Sequence, residues 1–228
     1  MKTHCPNVYM IAKNLIQTTI PPLKTTDSGD FALHQMSEYH IRHLPVVDDE
    51  RLLGIIAEDD IFHFDTEDEI GSYGMPWARP FVKENAHLYE VMQKMATFRL
   101  TIIPIMGENE RYLGCVTLED LLMAFAESTS VTEPGSIIVI EAAQHDYSFA
   151  QIGRIIESEG ATILSTFTRM NNDEGLVEIT LKVNTMEISR IIATLGRFDY
   201  NIKGAFSESD YVEELQERYD ALMSYLSV

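Results

Sequence analysis

The chain writes one passage twice. HLPVVDDERLLGIIAEDDI runs from His43 to Ile61, and IIPIMGENERYLGCVTLEDLL runs from Ile102 to Leu122. Pro45 matches Pro104 at an offset of 59, while Gly54 matches Gly114 and Asp60 matches Asp120 at 60, so one residue is inserted between the strands of the second copy. Upstream, Leu33 and Met36 correspond to Met92 and Met95 at the same offset of 59, so each copy begins with an amphipathic helix. Leu88, Val91, Met92 and Met95 show the three-and-four spacing of a helix face. The runs LPVV, LLGIIA, TIIPIM and YLGCV are short, continuous and β-branched, as expected of strands covered on both faces. Each unit therefore reads as helix, strand, turn, strand, helix. Gly54 and Gly114 fall inside strands, where glycine marks close approach of a ligand or another backbone.

After Gly135 the pattern changes. SIIVIEAA, TILSTFTRM, LVEITLKV and NIKGAF read as strands. Phe149, Ile152, Ile155 and Ile156 mark one helix face, and Ile188, Ile191, Ile192 and Leu195 mark another. Strand, helix, strand, strand, helix, strand is the ferredoxin-like order, with an Asn-Asn-Asp-Glu-Gly hairpin turn between the middle strands. In the last stretch Val212, Leu215, Tyr219, Leu222 and Leu226 follow heptad steps over little more than two heptads. That seam suits an amphipathic helix packed on its own domain or a dimer contact.

Composition narrows the function classes. The net charge is −19, so a phosphate backbone or anionic membrane is repelled overall, and neither nucleic acid nor membrane is an expected partner. No apolar run reaches the length of a membrane helix, and the apolar VYMIA near the N-terminus stops at Lys13, unlike a signal peptide. Cys5 and Cys115 form no CxxC pattern, which fits a reducing compartment, with the cytoplasm as the default. His40 and His43 lack a third ligand nearby, and no metal site is expected. No GxxxxGK[ST], GxGxxG or GxSxG stretch is present, and no catalytic residue is assigned.

GCVTLED carries the candidate chemistry. With a strand ending at Val116 and a helix starting at Leu118, Thr117 is the N-cap and Asp120 is the third helical residue. A carboxylate there can hold two sugar hydroxyls, while free N–H groups and the helix dipole attract phosphate. The same pair also serves as a variant capping box, satisfying orphan backbone donors. Two features favour a ligand: the glycine at a fixed distance upstream, and Asp60 kept in the copy where Ala57 replaces the hydroxyl. Arg42, His43 and Arg79 are the candidate cations for phosphate, with Arg99 at a helix end a further one.

RHLPVVD, LLGIIAEDDI, TIIPIM and YLGCVTLEDLL resemble a tandem pair of CBS (cystathionine β-synthase) domains, a Bateman module. The third segment resembles an ACT domain, and the order is similar to that of bacterial acetoin-utilisation-type CBS proteins. The resemblance implies an α/β and α+β chain: CBS repeats at residues 8–66 and 75–128, a linker at 129–135, an ACT-like domain at 136–206 and a C-terminal amphipathic helix at 207–228. It further implies that AMP, ADP or ATP, or another adenosyl compound, sits between the repeats, with no cofactor required. By analogy one site takes Gly114, Thr117 and Asp120 with Ile103, Pro104, Arg79 and Phe81. A weaker one takes Asp60 with Leu44, Pro45, Arg42 and His43. The turn after the first ACT-like strand keeps Asp146 but lacks the usual glycine, which favours side-by-side dimerisation over amino-acid binding there. Expected, then, is a dimeric, non-catalytic sensor acting on a regulated partner. The alternatives are an interaction scaffold with vestigial clefts and, third, an enzyme of acetoin catabolism.

Overall fold

The computed structural model describes residues 10–74 and 76–207. Cys5 and the heptad seam from Val212 to Leu226 lie outside the described residues. The chain divides into two compact units, residues 1–128 and 129–228.

In the first unit the duplicated passage becomes two copies of one motif. Leu23 pairs in parallel with Val46, α1 spans Gly29–Glu38, and β1 (His43–Asp48) turns back into β2 (Arg51–Ala57) before α2 (Glu58–Ile61). In the second copy β3 (Val82–Lys83) pairs in parallel with β4 (Ile102–Met106), α3 is Leu88–Phe98, and β4 runs antiparallel to β5 (Tyr112–Thr117) before α4 (Leu118–Ser128). The hairpins differ in their turns. Asp49 and Glu50, both with positive φ, close the first directly, whereas residues 107–111 separate the second pair. Both ladders slip at the equivalent place, between Val46 and Val47 and between Ile105 and Met106. α2 is one turn against the eleven residues of α4 because HFDTEDE after Phe62 supplies no continuing apolar stripe.

The strands LPVV and IIPIM are buried throughout, which is why they read as unbroken apolar runs. Their cores interlock. Ile102 and Cys115 of the second copy belong to the cluster built on Leu23, Ala32, Met36, Leu44, Val46 and Ile56, while Ala12 and Ile55 join the one built on Val82, Leu88, Val91, Ile103 and Val116.

The two strand glycines answer to backbone. A Cβ on Gly114, at φ +145°, would lie 2.6 Å from the carbonyl oxygen of Gln17, and one on Gly54 would lie 2.4 Å from Cβ of Trp77. Gln17 forms an antiparallel bridge with Cys115, and Ala78 forms one with Ile55. The segment entering the first copy thus pairs with the second copy's glycine strand, and the segment entering the second copy pairs with the first copy's. This crossing ties the halves together.

In the second unit β6 (Ser136–Ala143), α5 (Phe149–Ser158), β7 (Ile163–Asn171), β8 (Leu176–Val183), α6 (Ser189–Arg197) and β9 (Asn201–Phe206) form a sheet in the order β7-β8-β6-β9, all antiparallel. This is the ferredoxin-like topology. β8 alternates buried and half-buried positions along its length, and Val177, Ile179, Leu181 and Val183 pack with Ile152, Ile155, Ile156, Ile191 and Leu195 of the two helices. Phe149, expected on the α5 face, remains 45% exposed.

Gly114→Ala forces a side chain into the Gln17 backbone from a left-handed conformation, and should lower stability by on the order of 1–3 kcal/mol. Denaturant melts of the variant measure this; a midpoint equal to that of the parent chain would mean that the close crossing is not held in solution.

Candidate functional site

β5 delivers Thr117 to the start of α4, and the Thr-x-x-Asp spacing folds back on itself. The Thr117 hydroxyl donates to Asp120 Oδ2 at 2.5 Å, the Thr117 N–H lies 3.4 Å from the same oxygen, and the Asp120 N–H donates to Thr117 Oγ1 at 3.0 Å. The capping box is therefore formed in full and occupies Oδ2. Oδ1 accepts a hydrogen bond from Gln17 Nε2 at 3.0 Å. The cap thus engages Oδ2, while Oδ1 meets a donor from another part of the chain. In the first copy the Ala57 N–H donates to Asp60 Oδ2 at 3.1 Å, and among the described residues no side chain donates to Asp60.

The structure places the candidates named for the Asp120 site in more than one part of the unit. Gly114, Thr117 and Asp120 do share one strand-to-helix corner, with Pro104 and Ile103 opposite Cys115 and Val116 on the neighbouring strand. Arg79 and Phe81 follow Ala78, which bridges to Ile55 of β2, and lead into β3, which pairs with the second copy's β4. Arg79 makes a loose ion pair with Glu110 at 3.5 Å in the second hairpin's turn, and Nε and Nη2 of its guanidinium are buried without a hydrogen-bond partner. Phe81 packs on the cluster of Val47, Leu52 and Met106, and its carbonyl accepts from Lys94 Nζ at 2.7 Å. It also helps to line a cavity of about 660 Å³ with Ile11, Lys13, Lys83, Asn85 and Met106, to which neither Thr117 nor Asp120 contributes. Ile103 and Leu44 are fully buried, and Pro45 and Pro104 are buried with them.

Arg42 and His43, grouped with Asp60 on the sequence, meet the second copy through Thr101. The Arg42 N–H donates to Thr101 Oγ1 at 2.9 Å, and the Thr101 N–H donates to His43 Nδ1 at 3.3 Å. Thr101 in turn offers its carbonyl to the N–H of Leu118, the first residue of α4, at 2.9 Å, as Arg42 does for Glu58 at the first residue of α2. Residues 42 and 101 are equivalent under the repeat, so the two helix starts lie about a pseudo-twofold junction.

Cations are scarce there. The Arg42 guanidinium pairs with Glu58 at 3.0 Å, and that hydrogen bond and charge hold its pKa above the ordinary value. Burial is the main cause that lowers the His43 pKa, and its Nδ1 accepts a backbone N–H, so the ring is neutral at pH 7. Arg99 takes the left-handed C-cap position of α3. Burial pushes the Cys115 thiol up to about 11, so the thiol beside Gln17 is uncharged. Among the described residues no three His, Cys, Asp or Glu side chains gather as metal ligands, and no helix is long and apolar enough to cross a membrane.

Gln17 and Thr101 are the two residues here that the sequence reading passed over. Thr101 was within reach, as the equivalent of Arg42. Gln17 lies outside the duplicated passage and is found only through the strand crossing.

The family model for the CBS domain matches residues 12–67 and 74–127. These two stretches are a tandem pair of CBS domains. Inosine-5′-monophosphate dehydrogenase of Methanocaldococcus jannaschii is 27% identical over 134 residues, covering 58% of this chain and 27% of the relative. The chain thus spans about a quarter of that relative's length. Among solved structures, a CBS domain pair/ACT domain protein from Thermotoga maritima is 22% identical with a TM-score of 0.46, over 52% of this chain and 98% of that one. CBSX2 in complex with AMP is 18% identical with a TM-score of 0.45, over 51% and 96%.

The neutral His43 carries a pH signature. Its folded pKa lies below the unfolded value, so the unfolded chain binds the extra proton, and this contribution to stability is full above the unfolded pKa of about 6.5 and lost as pH falls below it. His43→Asn keeps an acceptor without titrating. The difference in melting temperature between parent and variant should therefore shift against the parent between about pH 7.5 and 5.5; a difference constant with pH would mean that His43 is not held neutral.

Proposed function

We propose that this protein is a non-catalytic regulator whose CBS pair binds an adenosine nucleotide at the Thr117–Asp120 corner and passes occupancy to the ferredoxin-like, ACT-like unit or to a partner protein, as a homodimer in the cytoplasm. CBS pairs commonly bind adenosine nucleotides as regulatory modules. The observation that carries the reading is the division of labour within Asp120. Oδ2 is fixed by Thr117, and Oδ1 is presented across the chain crossing to a single neutral donor, at the exchange distance of a ligand hydroxyl.

The site so built recognises the nucleoside part of its ligand. Arg42 is neutralised by Glu58, His43 is uncharged, and α2 and α4 begin with Glu58, Asp59 and Asp60 and with Glu119 and Asp120. Each added phosphate brings negative charge into this acidic neighbourhood, where Arg42 is already engaged by Glu58. The function follows as ligand-dependent choice between two arrangements of the repeats, limited by the ligand's affinity ratio for them.

A second reading, the interaction scaffold, is favoured by Ala57: the first copy lacks the capping hydroxyl, and among the described residues no side chain donates to Asp60. Calorimetric titration separates the readings. Asp120→Ala should weaken AMP binding at least tenfold, the worth of a hydrogen bond to a charged group, while costing about 0.5–2 kcal/mol of stability through the lost cap. Asp60→Ala should change AMP affinity little. Heat of AMP binding unchanged in Asp120→Ala, or absent from the parent chain, rejects the corner as the site.

A second titration addresses charge. Affinity should fall from AMP to ADP to ATP at low ionic strength, and the spread should narrow as salt rises. An order led by ATP would show a phosphate cradle elsewhere in the cleft.

A further inference from the structure

The Gln17–Asp120 contact joins residues 103 apart in sequence. The Gln17 backbone is fixed, with its N–H donating to the Cys115 carbonyl at 2.7 Å and its own carbonyl accepting from the Cys115 N–H at 3.1 Å. Tight packing against Gly114 leaves that backbone no room to move inwards. The carboxamide is therefore the free element: a polar side chain on an anchored strand, placing one N–H on the single carboxylate oxygen that the cap leaves available. The equivalent segment before the second copy brings Trp77 and Ala78 to Gly54 and Ile55, and supplies no donor to Asp60. The amide occurs only on the copy that has kept its hydroxyl.

We propose that Gln17 is a built-in competitor, its carboxamide standing where a ribose hydroxyl of the ligand binds. The inference rests on the nucleotide reading above. Binding is then an exchange of one neutral donor for another on Asp120 Oδ1, with Thr117 and the helix cap undisturbed. The exchange has two consequences. It sets affinity below what the corner alone would give, since the ligand forfeits the bond it displaces. It also makes residues 11–17 the part of the chain that senses occupancy, because the same segment pairs with the second copy through Ile11 and His87, Ala12 and Ala86, and Lys13 and Glu84.

The test compares the parent chain with Gln17→Met, which keeps the side chain's length without a donor, and Gln17→Ala as a second variant. Each is titrated with AMP and with 2′,3′-dideoxyadenosine monophosphate after melting curves have shown that it folds. Removing the competitor should tighten AMP binding roughly tenfold in both variants, and give no gain for the dideoxy compound, which has no hydroxyl to offer Asp120. AMP binding that is equal or weaker in the variants overturns the competitor while leaving the nucleotide reading in place. An equal gain for AMP and the dideoxy compound also overturns it, because the hydroxyl exchange is then absent. No AMP binding by parent or variants removes both proposals together.

Discussion

The first unit depends on a crossed pairing. Gln17 bonds to Cys115 and Ala78 to Ile55, so each copy of the motif completes its sheet with the segment that leads into the other copy. Glycine at 54 and 114 is what lets the backbones come so close. The interlocked cores follow, with Ile102 and Cys115 buried among first-copy residues and Ile55 among second-copy ones. Neither copy can be lifted away without breaking the other's sheet edge. In the proposed function, a ligand bound at the crossing would act on both halves, as a CBS pair working as a sensor requires.

Much of this was legible beforehand. The duplicated passage, with its glycine and aspartate at fixed offsets, gives the two hairpins, and the unbroken apolar runs give strands buried on both faces. The crossing was not legible, because Gln17 and Ala78 each join the other copy's strand through a single bridge. One residue carries no periodicity, so spacing rules cannot say which strand it will meet. Beside Asp120 the fold places Gln17, a residue outside the duplicated passage. Local geometry also redirected the chemistry. The Thr-x-x-Asp pattern fits both a ligand clamp and a capping box, and the structure uses Oδ2 for the box and Oδ1 for contact across the crossing. Arg42, a phosphate candidate on the sequence, has Glu58 beside it in the fold.

Electrostatics sharpens the account. In a chain of net charge −19, an anionic ligand needs local compensation, and the junction holds a paired arginine and a neutral histidine. The corner at Asp120 instead offers acceptors and neutral donors suited to hydroxyl groups. Asymmetry between the copies follows the same logic, since the second has a hydroxyl, a full cap and an amide from across the crossing, while the first has Ala57 and a single backbone donor.

The most direct measurement is a crystal structure of the full chain grown with AMP. The account predicts one nucleotide per chain, its ribose hydroxyl on Asp120 Oδ1, the Thr117 cap intact and the Gln17 carboxamide turned away. Nucleotide bound beside Asp60 and Trp77, or in the cavity of Phe81 and Lys83, with Gln17 still on Asp120, would contradict it.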